Sequence, residues 1–188
     1  VSGRTNIAVR GLNVYCDLLP LHAQNAERFP FLLESVAHGT QQGRFDVLLA
    51  FPGESLWLDR DGRVHGWCEG ERGDFLANLD RWWAQERVES PATELPFWGG
   101  WFLYLGYELA AQVEPSLVLP RAQDDIPVAF ATRCPAAVIR DHEARCTWLV
   151  SEEEQAELLD VLEEDVRRSG ASCTGSRVRG RVTREDPA

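Results

Sequence analysis

Glu34 and Ser35 close an apolar run, Phe31-Leu32-Leu33. At the end of such a strand a carboxylate and a hydroxyl can turn into a cavity and hold an ammonium and a polar group. Further on, Arg44 can meet a carboxylate through a bidentate pair, and Phe45 can lie against a flat ring. The four together would suit an amino acid. Taken alone they read more readily as a capped strand end followed by a surface arginine, and residue type and spacing leave both readings open.

No sharper constellation is present. The sequence has no Gly-x-Ser-x-Gly elbow, no His-Glu-x-x-His and no Cys-x-x-Cys. His22, His38, His65 and His142 are scattered and stand at no metal-ligand spacing. The cysteines, Cys16, Cys68, Cys134, Cys146 and Cys173, are five, so full internal pairing is impossible. They read as reduced thiols of a cytoplasmic protein. The acidic runs Glu152-Glu153-Glu154 and Glu163-Glu164-Asp165 read as the solvated face of a helix, the first also favouring the positive helix start.

The elements that must position these residues follow from periodicity and turn chemistry. Asn13–Asp17, Phe31–Ser35, Val47–Phe51, Val128–Thr132, Ala136–Asp141 and Cys146–Ser151 read as strands. A short helix is expected over His22–Arg28, ended by Pro30. Ser55–Asp59 and Arg63–Cys68 form a hairpin about Asp61-Gly62. Asp74–Arg87 is an amphipathic helix with Phe75, Leu76, Leu79, Trp82 and Trp83 on its core face. Phe97–Glu108 is rich in aromatics and interrupted by Gly99, Gly100 and Gly106, which implies strand with close backbone approach or positive φ. Leu109–Val113 turns helical. Ser151 and Glu154 have capping-box spacing before a helix over Glu152–Arg168.

The sum is an α+β domain of mostly antiparallel sheets with a few packed helices, over residues 1–168. Residues 169–188 lose periodicity and read as a linker. With 188 residues, 44% of them hydrophobic, the chain can build one sizeable core or two small ones. No apolar run approaches the ~18 residues of a spanning helix. A net charge of −11 disfavours nucleic acid as a partner. No β-α alternation or phosphate-cradling loop points to a nucleotide fold. The chain contains no Met and reads as a piece of a longer protein.

Pro30-Phe31-Leu32-Leu33-Glu34-Ser35 resembles the Leu-Leu-Glu-Ser motif of the anthranilate synthase and aminodeoxychorismate synthase large subunits. Pro96-Phe97-Trp98-Gly99-Gly100 and Leu105-Gly106-Tyr107-Glu108-Leu109 look like a second signature of the same amino-terminal domain. Leu119-Pro120, Asp124-Asp125-Ile126-Pro127 and Ile139–His142 agree in order, so the resemblance covers nearly the whole chain. Arg44-Phe45-Asp46-Val47 resembles the Arg-Phe-Asp of aminodeoxychorismate synthases, where anthranilate synthases more usually have Arg-Tyr-Ser, and Ala50-Phe51-Pro52 fits the same branch.

The resemblance implies a non-catalytic amino-terminal domain of an enzyme that adds ammonia to chorismate, making 4-amino-4-deoxychorismate for para-aminobenzoate and folate. It implies a tryptophan pocket, carried over by position onto Glu34, Ser35, Arg44 and Phe45. It implies a glutamine amidotransferase partner and a carboxy-terminal chorismate-binding domain that holds magnesium and the catalytic residues. Val182-Thr183-Arg184-Glu185 looks like the entry to that domain, so no catalytic residue, metal or cofactor is expected on this chain. Two alternatives are a stand-alone or regulatory tryptophan-binding module and a fragment of an anthranilate synthase. The aromatic stretch Phe97–Tyr107 is expected to be exposed and to promote self-association.

Overall fold

The computed structural model describes residues 7–36, 43–67, 74–87, 93–119 and 126–169. His38, Cys68, Pro120, Asp124, Asp125, Cys173, Val182–Glu185 and the expected linker after Ser169 lie outside the described residues. The chain divides into two compact units. One comprises Val1–Pro52, Val88–Gly100 and Cys134–Ala188, the other Gly53–Arg87 and Trp101–Arg133. Both are antiparallel sheets with helices, an α+β arrangement.

In the first unit the strands are β1 (Ile7–Leu12), β2 (Phe31–Leu33), β3 (Phe45–Ala50), β8 (Ala136–Asp141) and β9 (Cys146–Glu152), in the order β1-β9-β8-β3-β2. Register decides what each face carries, because successive side chains point to opposite sides. Leu48 pairs with Val138, Val138 with Leu149, and Ala50 with Ala136, so these share one face. They pack there with Leu18 and Leu21 of the α1 region (Leu19–Gln24) and with Leu159, Leu162 and Val166 of α4 (Leu158–Arg168). Each of these three α4 side chains is almost fully buried, a gain of about 2 kcal/mol apiece. Arg10 of β1 fastens the helix from the same face, 2.8 Å from Asp160 and 2.7 Å from Glu163.

The structure departs from the sequence expectation at several elements. Asn13–Asp17 is not a strand; β1 lies just before it. The first helix spans Leu19–Gln24 rather than His22–Arg28. Ser151 does not cap α4: it is a buried residue of β9, and its Oγ has no hydrogen-bond partner among the described residues. A 3-10 turn at Glu153–Gln155 precedes the helix instead. Glu163 is not on a solvated face, because Arg10 draws it to the sheet.

In the second unit β5 (Val64–Gly66), β4 (Ser55–Leu58), β7 (Ala129–Cys134) and β6 (Gly100–Leu105) lie in that order. The β4–β5 turn holds Asp61-Gly62, with Asp59 Oδ1 accepting from the backbone N–H of Asp61 at 2.9 Å and of Arg63 at 2.8 Å. Helix α2 (Phe75–Glu86) is capped by Asp74, whose Oδ1 accepts from the Ala77 N–H at 2.8 Å. Its Phe75 and Trp82 enter a core with Leu56, Leu58, Ala129 and Ala131. Trp82 stacks on Trp67 at 5.2 Å and meets Trp101 edge-on at 5.5 Å. Trp83, expected in that core, is exposed beneath Arg87. A 3-10 turn at Tyr107–Leu109 leads into α3 (Ala110–Val113). Leu103, Tyr104, Leu105 and Tyr107 are exposed along and just after edge strand β6.

Candidate functional site

The first unit's sheet changes character at one end. On the face that α4 covers, the apolar ladder gives way to Asp46, Arg140, His142 and Thr147. Asp46 is fully buried. Its Oδ1 accepts from the Ser35 backbone N–H at 2.9 Å. Its Oδ2 takes Arg140 Nε at 2.7 Å, Arg140 Nη2 at 2.5 Å and His142 Nε2 at 2.7 Å. The imidazole's other nitrogen, Nδ1, is 2.5 Å from the Tyr15 hydroxyl. Because Nε2 faces a carboxylate, it carries a proton, and in the neutral ring Nδ1 accepts from Tyr15. Arg140 continues the chain, with Nη2 3.1 Å from Glu34 Oε1 and Nη1 3.6 Å from Asp17. Two guanidinium groups lie near the Tyr15 ring, Arg145 at 3.9 Å and Arg140 at 5.6 Å from its centre.

Burial alone would raise the Asp46 pKa. The Ser35 N–H, Arg140 and His142 outweigh it and hold the carboxyl below its ordinary value. Burial would likewise lower the pKa of Arg140, and Asp46 together with Tyr15 and Asp17 outweighs it.

A second cluster occupies the opposite face. Phe45 and Asp141 are a cross-strand pair, and Arg44 reaches Asp141 with Nη2 at 3.0 Å and Nε at 3.3 Å while its guanidinium lies 4.6 Å from the Phe45 ring centre. Glu94 at 3.0 Å and Glu143 at 3.4 Å join from the surface. Burial tends to raise the Asp141 pKa, but Arg44 and the backbone N–H groups of Ala144 and Glu143 keep it depressed. Asp141, followed by Glu94, pushes the Arg44 pKa further up. Burial and then Asp141 raise the pKa of the neighbouring Cys146 thiol, with Arg44 opposing.

The four residues singled out by sequence thus fall into two pairs. Glu34 and Ser35 join Asp46 and Arg140; Arg44 and Phe45 stack together and join Asp141. Arg140 and Asp141 are consecutive in β8 and point to opposite faces. Sequence reasoning missed Asp46, Arg140, His142 and Tyr15 as members. The available signal was a polar triplet, Arg140-Asp141-His142, ending an apolar strand beside another ending in Asp46. Among the described residues no group of three or more His, Cys, Asp or Glu is arranged to hold a metal ion. No described helix is long and apolar enough to cross a membrane.

No protein-family model matches the chain, and no curated protein does. Among solved structures, the crystal structure of anthranilate synthase component I from Streptococcus pneumoniae TIGR4 is similar, with a TM-score of 0.53 and 19% identity over 71% of this chain. The match covers 32% of that protein, so the chain spans about a third of its length. At this identity the likeness shows the fold: mixed helices and antiparallel sheets of the kind seen in anthranilate synthase component I.

Proposed function

We propose that this chain is the amino-terminal, non-catalytic domain of a cytoplasmic chorismate-aminating enzyme, of the branch that makes 4-amino-4-deoxychorismate for para-aminobenzoate and folate. The observation that carries the reading is the meeting of two segments. The strand and turn ending in Leu33-Glu34-Ser35 lie beside Arg44-Phe45-Asp46, with Asp46 Oδ1 accepting from the Ser35 N–H at 2.9 Å. These are the segments on which the family resemblance rests, and the likeness in fold to anthranilate synthase component I supports the wider chorismate-using family without choosing its branch. The proposal includes a glutamine amidotransferase as ammonia source and a chorismate-binding domain in the same longer polypeptide. Magnesium would be held by that other domain, where it would assist loss of the chorismate 4-hydroxyl.

Within this reading Glu34 and Ser35 face the ligand of a tryptophan-type site, and Arg44 and Phe45, the other two residues the resemblance assigns to it, stand on the opposite face of the sheet. Glu34 is the group for the ligand's ammonium, since one of its oxygens is held by Arg140 and its side chain is 42% exposed. Arg44 and Phe45 brace the other face. The fold likeness to an anthranilate synthase favours a second reading, the tryptophan branch; Asp46 within Arg-Phe-Asp supports the first. The gene beyond codon 188 tests the assignment: a chorismate-binding domain in frame supports it, and a stop codon or an unrelated domain overturns it.

A further inference from the structure

We infer that Asp46 is the positioning residue of the amino-acid site: it fixes the Glu34–Ser35 turn through the Ser35 backbone N–H and through Arg140, leaving Glu34 poised for a ligand ammonium. The inference rests on the tryptophan reading above and adds to it a residue with no ligand contact of its own.

The geometry has three parts. Asp46 is wholly buried at the end of a core strand, so its carboxylate cannot follow a ligand and acts as a fixed point. Its Oδ1 holds the Ser35 amide at 2.9 Å, which sets where the chain turns after β2. Its Oδ2 receives Arg140 through Nε and Nη2, and Nη2 is also 3.1 Å from Glu34 Oε1. Arg140 is the hinge pin: one planar group, held by Asp46, orients the Glu34 carboxylate and leaves Oε2 to accept from an ammonium. His142 closes the far side at 2.7 Å, and Tyr15 keeps the imidazole in place. Asp46→Asn is nearly isosteric, but its amide would turn N–H groups toward either Arg140 and His142 or the Ser35 N–H, all of them donors. The Glu34 carboxylate would then lose its orientation, although Glu34 itself is unchanged.

The experiment compares calorimetric titrations of the 188-residue chain and its Asp46→Asn variant with L-tryptophan and with indole-3-propionate, which lacks the ammonium. The expected result is about a tenfold or greater loss of tryptophan affinity in the variant, with indole-3-propionate unaffected. Equal tryptophan affinity in both proteins overturns the inference and leaves the tryptophan reading standing. Equal loss for both ligands reduces Asp46 to a general structural role and also overturns it. Absence of tryptophan binding by the parent chain overturns the tryptophan reading, and the ligand half of the inference with it.

A second measurement tests the anchor without ligand, and without any variant. The Ser35 amide resonance should move on acidification with a midpoint below the ordinary aspartate value of about 3.9. It reports protonation of Asp46, around which stand Arg140, His142, Glu34, Tyr15 and Asp17. A Ser35 amide that stays still through that range overturns the anchor.

Discussion

Asp46 and Arg140 stand directly opposite each other across the β3–β8 ladder, with Nη2 2.5 Å and Nε 2.7 Å from a single carboxylate oxygen. Both are withdrawn from water, Asp46 completely and Arg140 to 14% side-chain exposure. Such a pair is costly to bury and more costly to break, because removing one member strands the other's charge. Asp46→Ala should therefore destabilise the chain by about 3–5 kcal/mol in urea unfolding. A loss of less than about 1 kcal/mol, the scale of exposed pairs, would contradict this.

Acid should weaken the same unit. Asp46 and Asp141 both have folded pKa values depressed below the unfolded ones, so their contribution is full above the ordinary aspartate value of about 3.9 and fades as pH falls through the folded values. Urea midpoints measured from pH 7 downward should hold until about pH 4 and then drop. In Asp46→Asn and Asp141→Asn the drop should be shallower than in the parent, since each variant has already given up one charge-assisted contact.

The second unit depends on Trp82. It is fully buried and touches Trp67 face to face and Trp101 edge-on. Trp82→Ala should cost about 3–5 kcal/mol and abolish the near-ultraviolet circular dichroism of the stacked pair. Retention of that signal would show that the stack does not exist in solution.

Gly66 offers a backbone test in the β4–β5 hairpin. Its φ is +89°, and a Cβ there would sit 2.0 Å from the Ser55 carbonyl oxygen. That oxygen is backbone and cannot yield as the end of a flexible side chain could. Gly66→Ala should destabilise by at least about 2 kcal/mol. Gly62 at the tip, with φ of +79° but open space around it, should tolerate Asn far better.

Local signals were read well where one physical rule dominated. The Asp61-Gly62 turn, the amphipathic helix α2 and the bounds of β8 follow from turn chemistry, apolar periodicity and an apolar run. Asn13–Asp17 misled because Val14 and Cys16 are buried between exposed Asn13 and Asp17, which mimics a strand. In the structure the Cys16 N–H instead donates to the Thr147 Oγ1 at 3.1 Å. Ser151 had the spacing of a cap but the burial of a strand residue, and the sheet prevailed. At the candidate site the sequence indicated Glu34, Ser35, Arg44 and Phe45, yet their partners Arg140 and Asp141 lie 106 and 97 positions away from Glu34 and Arg44. Register, which no local pattern encodes, decides that Arg140 serves one face and Asp141 the other.

The most direct measurement is of the reaction product. The complete polypeptide encoded by this gene would be given chorismate, ammonium and magnesium, and its products separated by chromatography. The account predicts 4-amino-4-deoxychorismate, formed by the complete polypeptide and not by the 188-residue chain alone. Anthranilate as the product, or no amination of chorismate at all, would contradict it.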